Sequence, residues 1–205
     1  MVRVKICGIT NLRDAQAAQA AGADAVGFVF APSPRRISEA RAKQIASALG
    51  PWISKVGVFV NQRPAAVERV MKHCSLDAAQ LHGDESLKTA RTLRSKGIRV
   101  IKAVRIGSNS DLKAFRNYPA DAFLLDTASP GVYGGTGKSF DWKVLKKIRF
   151  SKPVIVSGGL RPENVGRLLR QYIPYGVDVS SGVEKSPRKK NVKRISEFIK
   201  NAKKT

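Results

Sequence analysis

Small and polar residues stand at the ends of short apolar segments in this chain, and several of them could carry out chemistry. Cys7-Gly8, His82-Gly83 and Asp126-Thr127 each end such a segment, as do Asn61 and Arg105. Thiol, imidazole and carboxylate groups are among those that proteins use to transfer protons. If the fold brings these segment ends together, they form a candidate active site.

Two glycine-containing turns near the carboxyl terminus could hold a phosphate group. Ser157-Gly158-Gly159-Leu160 precedes a predicted helix, and Ser180-Ser181-Gly182-Val183 follows the last apolar segment. Glycine lets backbone N–H groups approach an anion closely, and the amino terminus of a helix adds positive potential. The alternative interpretation is that both segments are simply tight turns.

Other kinds of active site lack the residues that they need. Gly134–Ser139 invites a Walker A interpretation, but the first glycine of that motif would fall at Val132. We interpret Ala128–Lys138 instead as a glycine-rich lid. The two histidines, His73 and His82, provide no convincing set of metal ligands. A G-x-S-x-G motif for a serine hydrolase is also missing from the sequence.

The elements that must position these residues alternate along the whole chain. Eight segments are short, mostly apolar and often β-branched, as expected for parallel strands that are buried on both faces. The predicted strands are Val2–Gly8, Ala25–Phe30, Lys55–Val60, Ala78–His82, Arg99–Arg105, Ala122–Thr127, Pro153–Ser157 and Gly176–Ser180.

Amphipathic helices are predicted between the strands. Their apolar residues follow the spacing i, i+3, i+4, i+7 in three sets: Ala42, Ile45, Ala46 and Leu49; Val67, Val70, Met71 and Cys74; and Val165, Leu168, Leu169 and Tyr172. Ser38, Pro64 and Pro162 mark helix starts, and Gly22, Gly50 and Gly97 mark helix ends.

Eight such βα units predict one (β/α)₈ barrel of eight parallel strands that spans residues 1–205 as a single domain. A doubly wound open sheet also satisfies strict alternation, but the count of eight favours the barrel. In a barrel, the loops after strands 7 and 8 commonly hold a phosphate. This rule favours a phosphate site formed by Gly158, Gly159, Ser180, Ser181 and Gly182.

The net charge is unusual for a metabolic enzyme. Lysine and arginine number 38 against 15 acidic residues, which gives a formal charge of +23. Nucleic-acid binding is the obvious alternative function, but the charge is spread over many predicted helices and no RNA- or DNA-binding motif is present. The basic cluster Lys185–Lys204 contains apolar residues at helical spacing, so we predict a basic terminal helix there. A positive field would also attract a small polyanionic substrate.

The chain shows features of a soluble, cytoplasmic protein. No apolar stretch is long enough to span a membrane or to serve as a signal sequence. Cys7 and Cys74 lie in a strand-like and a helix-like segment, so reduced thiols are the simpler interpretation.

Motifs along the whole chain resemble those of phosphoribosylanthranilate isomerases, and they occur in the family's order. They are Lys5-Ile6-Cys7-Gly8-Ile9-Thr10, Val26–Phe30, Val56–Asn61, Gln80-Leu81-His82-Gly83, Leu124–Thr127, Gly134–Lys138, Ser157–Leu160 and Val177–Glu184. The opening Lys-Ile-Cys-Gly segment is highly specific for this family.

The resemblance implies an Amadori rearrangement of N-(5-phosphoribosyl)anthranilate that requires no cofactor. It assigns the general base to Cys7 and the general acid to Asp126. Alternation along the strand puts Lys5 on the same face as Cys7, so we expect the Lys5 ammonium to lower the pKa of the thiol. The apolar residues before Asp126 would favour its protonated form.

The resemblance also implies substrate contacts. The family pattern, aligned on the following Ile-Ser, assigns the anthranilate carboxylate to Arg35, and Arg36 remains open. Asp178 resembles a position near the substrate but could also be a structural ion-pair partner. His82 could contact substrate or be held by neighbouring backbone.

The closest rival function is that of another phosphosugar barrel. The histidine-pathway aminoaldose isomerase performs similar chemistry, but it uses a carboxylate at the first strand, where this chain has Cys7. The partner is thus expected to be a small phosphorylated aminosugar, with nucleic acid and membrane unlikely. The barrel could be a monomer or a homodimer.

Overall fold

The computed structural model describes residues 1–106, 115, 117–127, 141–147 and 152–204, which contain a closed barrel of eight parallel strands. Each strand pairs with its neighbour in sequence, and the last pairs with the first. The strands are β1 (Arg3–Cys7), β2 (Ala25–Val29), β3 (Ser54–Phe59), β4 (Ala78–Leu81), β5 (Arg99–Ile106), β6 (Ala122–Thr127), β7 (Val154–Val156) and β8 (Gly176–Val179). The predicted strands and the predicted fold class are confirmed.

Helices cover the outside of the barrel. In the described part of the chain they are α1 (Leu12–Ala20), α2 (Glu39–Ser47), α3 (Pro64–His73), α4 (Leu87–Ser95), α5 (Pro162–Gln171) and α6 (Val192–Lys203), with a 3-10 helix at Trp142–Lys147. Ser38 caps α2 by accepting a hydrogen bond from the Arg41 amide, and Pro64 and Pro162 occupy the first turns of their helices, as predicted.

Three helices end slightly earlier than their apolar spacing predicts. Leu49, Cys74 and Tyr172 lie one or two residues beyond the helix ends. Leu49 and Cys74 are nevertheless buried, and Tyr172 packs against the core. The apolar spacing therefore identified residues that pack on the barrel, including residues just outside the regular helix.

The basic cluster Lys185–Lys204 is only partly helical, which corrects the prediction for its first residues. Two short antiparallel strands, β9 (Glu184–Ser186) and β10 (Lys189–Lys190), precede the terminal helix. Pro187 and Arg188 form the turn between them, and Arg188 has a positive φ of 72°. Asn191 then caps α6, so the helix starts only at Val192.

The strands are apolar on both faces because one face packs under the helices and the other fills the barrel. Val4 and Ile6 of β1 belong to the main core beneath the helices. Ala103, Leu124 and Ile155 form a second, small cluster on the inward faces of β5, β6 and β7. Beyond that cluster, toward the carboxyl ends of the strands, inward-facing positions change from apolar to polar.

Two overlapping segments discussed above, Ala128–Lys138 and Gly134–Ser139, lie outside the described residues. Among the helices that the structure describes, none has the length and apolar character needed to cross a membrane.

Candidate active site

A buried polar cluster joins β1 to β8 at the carboxyl end of the barrel. Lys5 Nζ donates a hydrogen bond to Asp178 Oδ1 at 2.8 Å, and Ser157 Oγ donates to Asp178 Oδ2 at 3.1 Å. Cys7 follows on the same strand face, where its thiol interacts with the Lys5 charge. Asp178 is thus an ion-pair partner of Lys5, which was one of the two predicted roles for it.

The pKa of Cys7 depends on more than the charge of Lys5. Burial raises the pKa of Cys7, and so does the Asp178 carboxylate, while the Lys5 and Lys190 ammonium groups lower it. The net shift is upward. Lys5 thus acts in the expected direction, but burial, which disfavours the thiolate, and the Asp178 carboxylate outweigh it.

Lys5 remains charged in this buried position. Burial alone would lower its pKa, but Asp178 and Cys7 outweigh that effect and raise it. Space for both side chains comes from Gly27 on β2, where an added Cβ would lie 2.8 Å from Cys7 Sγ and 3.1 Å from Lys5 Cε. The cluster therefore holds a cation and a thiol side by side at the first strand.

A second buried polar cluster surrounds Asp126 at the end of β6. His82 Nε2 lies 3.2 Å from Asp126 Oδ2, and the Thr127 amide donates to Asp126 Oδ1 at 2.8 Å. Gln80 Nε2 lies 2.8 Å from His82 Nδ1. Because the Gln80 amide nitrogen can only donate, Nδ1 accepts, and the neutral ring carries its proton on Nε2, toward Asp126.

His82 is therefore held by side chains rather than by backbone, contrary to one of the two predictions for it. Gln80, His82 and Asp126 form a hydrogen-bonded chain whose members are all buried. The outer carbonyl oxygen of the chain, Gln80 Oε1, is buried and has no hydrogen-bond partner among the described residues.

Arg35 reaches over the barrel mouth beside Cys7. A Cβ added at Gly8 would lie only 2.6 Å from Arg35 Cδ, so the arginine crosses directly above that glycine. Arg35 Nε and Nη2 donate to the two carboxylate oxygens of Glu184 at 2.8 and 2.7 Å. This pairing raises the pKa of Arg35, which stays a cation at the edge of the site.

Arg36 points to a different place. It lines a cavity of about 690 Å³ together with Phe30, Arg69 and Arg188, and neither Cys7 nor Asp126 takes part in that lining. The cavity therefore lies away from the two proton-transfer candidates, and its size alone does not make it the site of chemistry. Of the two arginines left open by the sequence, Arg35 is the one beside Cys7.

The two predicted phosphate loops lie against each other. A Cβ at Gly182 would fall 1.9 Å from the Leu160 carbonyl oxygen, so the loop after β8 touches the loop after β7. Gly158 and Gly159 have positive φ angles of 81° and 62°, which favour glycine. A Cβ at Gly158 would lie 2.9 Å from Asp126 Oδ1, so this loop also borders the second polar cluster.

The barrel brings most of the predicted site residues to one rim. Cys7 and Asp126 are both buried and end strands β1 and β6, which are separated around the barrel by β7 and β8. His82, Asp178 and the glycine loops lie on strand ends of the same rim, and Arg35 reaches over it from the loop after β2. The arrangement offers a thiol, a carboxyl group, a cation and backbone amides around one opening.

Sequence reasoning missed Gln80, Glu184 and Lys190. Gln80 had a usable signal, because it lies two residues before His82 and so faces the same side of β4. Glu184 and Lys190 had none, because they follow the last strand in a polar segment without periodicity. Their positions depend on the β9–β10 hairpin.

The chain matches a known family over nearly all of its length. The family model described as N-(5'phosphoribosyl)anthranilate (PRA) isomerase matches residues 4–201. A curated relative, the N-(5'-phosphoribosyl)anthranilate isomerase of Rubrobacter xylanophilus, is 48% identical over 205 residues, which are 99% of this chain and 100% of the relative.

Solved structures show the same similarity. The phosphoribosyl anthranilate isomerase of Thermotoga maritima is 46% identical with a TM-score of 0.93. A phosphoribosyl anthranilate isomerase in complex with reduced 1-(o-carboxyphenylamino)-1-deoxyribulose 5-phosphate is 45% identical with a TM-score of 0.90. A structure of monomers generated from the dimeric Thermotoga maritima enzyme is 44% identical with a TM-score of 0.89. Each comparison covers 100% of both chains.

Proposed function

The chain belongs to the N-(5'-phosphoribosyl)anthranilate isomerase family, and from this premise we propose how its residues perform the reaction. The enzyme isomerises N-(5'-phosphoribosyl)anthranilate to 1-(2-carboxyphenylamino)-1-deoxyribulose 5-phosphate, an Amadori rearrangement in tryptophan biosynthesis. The reaction moves protons and opens a ring, so one acid and one base are enough and no cofactor is needed.

Asp126 acts as the general acid in this proposal. Its carboxyl group gives a proton to the ring oxygen of the aminosugar, the bond between that oxygen and C1′ breaks, and the anthranilate nitrogen lone pair forms an iminium. The His82 Nε2–H, 3.2 Å from Asp126 Oδ2, stabilises the carboxylate that remains.

Cys7 acts as the general base. Its thiolate removes the proton from C2′, and the electrons of that bond form an enolamine and neutralise the iminium nitrogen. The enolamine then takes a proton at C1′ and loses one from its hydroxyl group, which yields the ketone. Lys5 stabilises the thiolate, because its ammonium lowers the pKa of Cys7 relative to burial alone.

Binding groups surround these two residues. Arg35 binds the anthranilate carboxylate, because a guanidinium offers two aligned donors for it. Backbone amides and hydroxyls of Gly158, Gly159, Ser180, Ser181 and Gly182 bind the phosphate. Asp178 and His82 border the sugar between these ends. The observation that carries the proposal is the common rim: Cys7 and Asp126 end two strands of one barrel mouth, with Arg35 beside Cys7 and Gly158 beside Asp126.

A labelled substrate tests the proposed chemistry. We expect the purified enzyme, treated with a chelator, to abolish the anthranilate fluorescence of N-(5'-phosphoribosyl)anthranilate. With deuterium at C2′, the rate should fall and the deuterium should appear in water, because a base removes that atom. A product that keeps the deuterium at its original carbon would contradict removal of the C2′ proton.

We propose that the enzyme works in the cytoplasm as a single domain that spans residues 1–205. A reducing compartment suits a thiol base, and both cysteines are free and buried. Fractionation of the cells that express the protein, with activity measured in each fraction, tests the location. Limited proteolysis that releases a folded fragment would contradict the single domain.

We also propose a homodimer joined through the amino-terminal end of the barrel. Trp52 is 96% exposed, and Ile173 and Tyr175 are 68% and 56% exposed. Trp52 precedes β3, and the other two precede β8, so all three lie at the rim opposite the active site. Light scattering should give twice the chain mass, and Trp52→Glu should shift it to the monomer. A monomeric wild type would contradict this proposal.

A further inference from the structure

Glu184 is a buried carboxylate at the barrel mouth that has no role in the chemistry described above. Its side chain is 5% exposed. Glu184 is the first residue of β9 and follows the proposed phosphate loop after β8. Arg35 pairs with both of its oxygens, and Lys190 Nζ donates to Oε1 at 3.0 Å. Burial alone would raise the pKa of Glu184, but these cations outweigh it and hold the pKa below its usual value.

The geometry of the pair determines which part of Arg35 remains for substrate. A guanidinium has two edges that can each bind a carboxylate with two parallel hydrogen bonds. Glu184 occupies the edge formed by Nε and Nη2. The other edge, formed by Nη1 and the second hydrogen of Nη2, makes no hydrogen bond to a described residue and therefore stays available for a second carboxylate.

The cluster keeps a net positive charge when Glu184 is paired. Arg35 and Lys190 contribute two cations, and Glu184 contributes one anion, so one positive charge remains beside Cys7. Lys190 is fully buried and also donates to the Ser180 carbonyl oxygen at 3.1 Å. The same three residues thus connect the arginine at the mouth to the loop that is proposed to hold the phosphate.

We propose that Glu184 is a positioning residue that sets the preference of the enzyme for an arylamine that carries a carboxylate. It fixes one edge of the Arg35 guanidinium so that the other edge faces the substrate in a single orientation. Without it, the long arginine side chain must lose its rotational freedom on binding, which weakens the carboxylate contact. The proposal rests on the role of Arg35 proposed above.

A competing arrangement predicts the opposite result. If Glu184 occupied the substrate carboxylate's own place on Arg35, it would act as an internal competitor. Replacing it would then strengthen substrate binding instead of weakening it. The sign of the effect on KM therefore decides between a positioning residue and a competitor.

The test compares two substrates, N-(5'-phosphoribosyl)anthranilate and the corresponding aniline compound, which lacks the carboxylate. We expect Glu184→Gln to raise KM for the anthranilate compound about tenfold, as expected for the loss of one good charged contact, with little change in kcat. The kinetics of the aniline compound should stay the same. Glu184→Asp, which keeps the charge but shortens the side chain, should give the same selective loss.

Glu39→Gln is the matched control. The Glu39 carboxylate accepts two hydrogen bonds from the Arg69 guanidinium, as Glu184 does from Arg35, but this pair lies away from Cys7. Glu39→Gln should leave both substrates unaffected. An equal loss of kcat/KM for both substrates in Glu184→Gln and Glu184→Asp would show a general structural effect and overturn the proposal, as would a lower KM.

Arg35→Ala separates this proposal from the one on which it rests. If Arg35→Ala reduces kcat/KM equally for the two substrates, Arg35 does not bind the carboxylate and the proposed contact fails. If Arg35→Ala affects only the anthranilate compound while Glu184→Gln affects neither, the contact stands and the role of Glu184 fails.

Discussion

At the scale of single residues, the two candidate catalytic groups lie in different electrostatic settings. Burial and the Asp178 carboxylate raise the pKa of Cys7, while the Lys5 ammonium lowers it. Asp126 instead lies at the end of a hydrogen-bonded chain of side chains that His82 and Gln80 form. Such a division suits a reaction that needs one group deprotonated and the other protonated in the same opening.

The thiol should respond with opposite signs to the loss of its two charged neighbours. Lys5→Met removes a charge that stabilises the thiolate, so the pKa of Cys7 should rise. Asp178→Asn removes a charge that disfavours the thiolate, so the pKa of Cys7 should fall. The rate of iodoacetamide alkylation against pH, measured in a Cys74→Ala background, reports this pKa. Shifts in the same direction would contradict the assignment of charges.

The raised pKa of Cys7 also sets the pH dependence of the free enzyme. Because the base must be deprotonated and the acid protonated, kcat/KM declines at high pH only above the higher of their two pKa values. Since the pKa of Cys7 lies above its usual value, no decline is expected until the pH exceeds the usual pKa of a thiol. A kcat/KM that already declines as the pH rises through neutrality would contradict the raised pKa of the base.

His82 should support the acid step. When Asp126 is ionised, His82 donates to it from Nε2; when Asp126 is protonated, the Gln80 amide can turn over, so that Oε1 accepts from Nδ1–H and Nε2 accepts from Asp126. His82→Ala removes both arrangements, and we expect kcat to fall about tenfold or more with a smaller change in KM. Steady-state kinetics measure kcat and KM of the variant. An unchanged kcat would show that Asp126 acts without its hydrogen bond to His82.

The signals that a single sequence offers at this scale are uneven. Cys7 and Asp126 could be identified because each ends an apolar strand, where a polar residue stands out. The net pKa shift of Cys7 could not be predicted, because it depends on how deeply the fold buries the thiol and on Asp178 from the far end of the chain. Glu184 was beyond reach for the same reason, since its partner Arg35 lies 149 residues earlier.

At the scale of elements, the strands could be predicted well because parallel barrel strands are apolar on nearly every position. The β9–β10 hairpin could not be predicted, because most of its residues are charged and show no strand pattern. The helical spacing of the residues after it led us to start the predicted helix at Lys185 instead of Val192. The hairpin matters for the site, since it carries Glu184 and Lys190 to the mouth.

A buried ion pair fixes the ends of two strands and should matter for stability. Lys102 Nζ donates to Glu85 Oε2 at 2.7 Å and to the Gly83 carbonyl oxygen at 2.6 Å, while Glu85 Oε1 accepts from the amides of Asn61 and Gly83. Lys102→Met leaves that carboxylate buried and unpaired, which should lower the free energy of unfolding by about 3–5 kcal/mol.

Denaturant unfolding measures this loss. The double variant Lys102→Met/Glu85→Leu should recover part of it, because it leaves no buried charge. Arg3→Met serves as the control, since the Arg3 side chain is largely exposed and its partner Asp24 keeps a second cation, Lys203, so stability should change little. A small loss for Lys102→Met would mean that water reaches the pair.

At the scale of the whole molecule, the net charge of +23 is not needed to form the barrel. The substrate carries a phosphate and a carboxylate, so a positive field should speed its encounter with the enzyme. We expect kcat/KM to fall roughly threefold or more as salt rises from low concentration to about 0.3 M, while kcat stays nearly constant. Stopped-flow binding at several salt concentrations measures this, and salt-independent binding would contradict it.

The central claim is that Cys7 and Asp126 are the base and the acid of one active site. The most direct measurement is the single-turnover rate of anthranilate fluorescence loss for Cys7→Ser and Asp126→Asn, beside the controls Cys74→Ser and Asp77→Asn. Asp77 precedes β4, at the barrel end opposite the active site, where its carboxylate accepts a hydrogen bond from the Lys55 amide. We expect each of the first two to slow turnover about a hundredfold or more, with unchanged folding, and the controls to match the wild type. Wild-type turnover in either folded variant, Cys7→Ser or Asp126→Asn, would contradict the account.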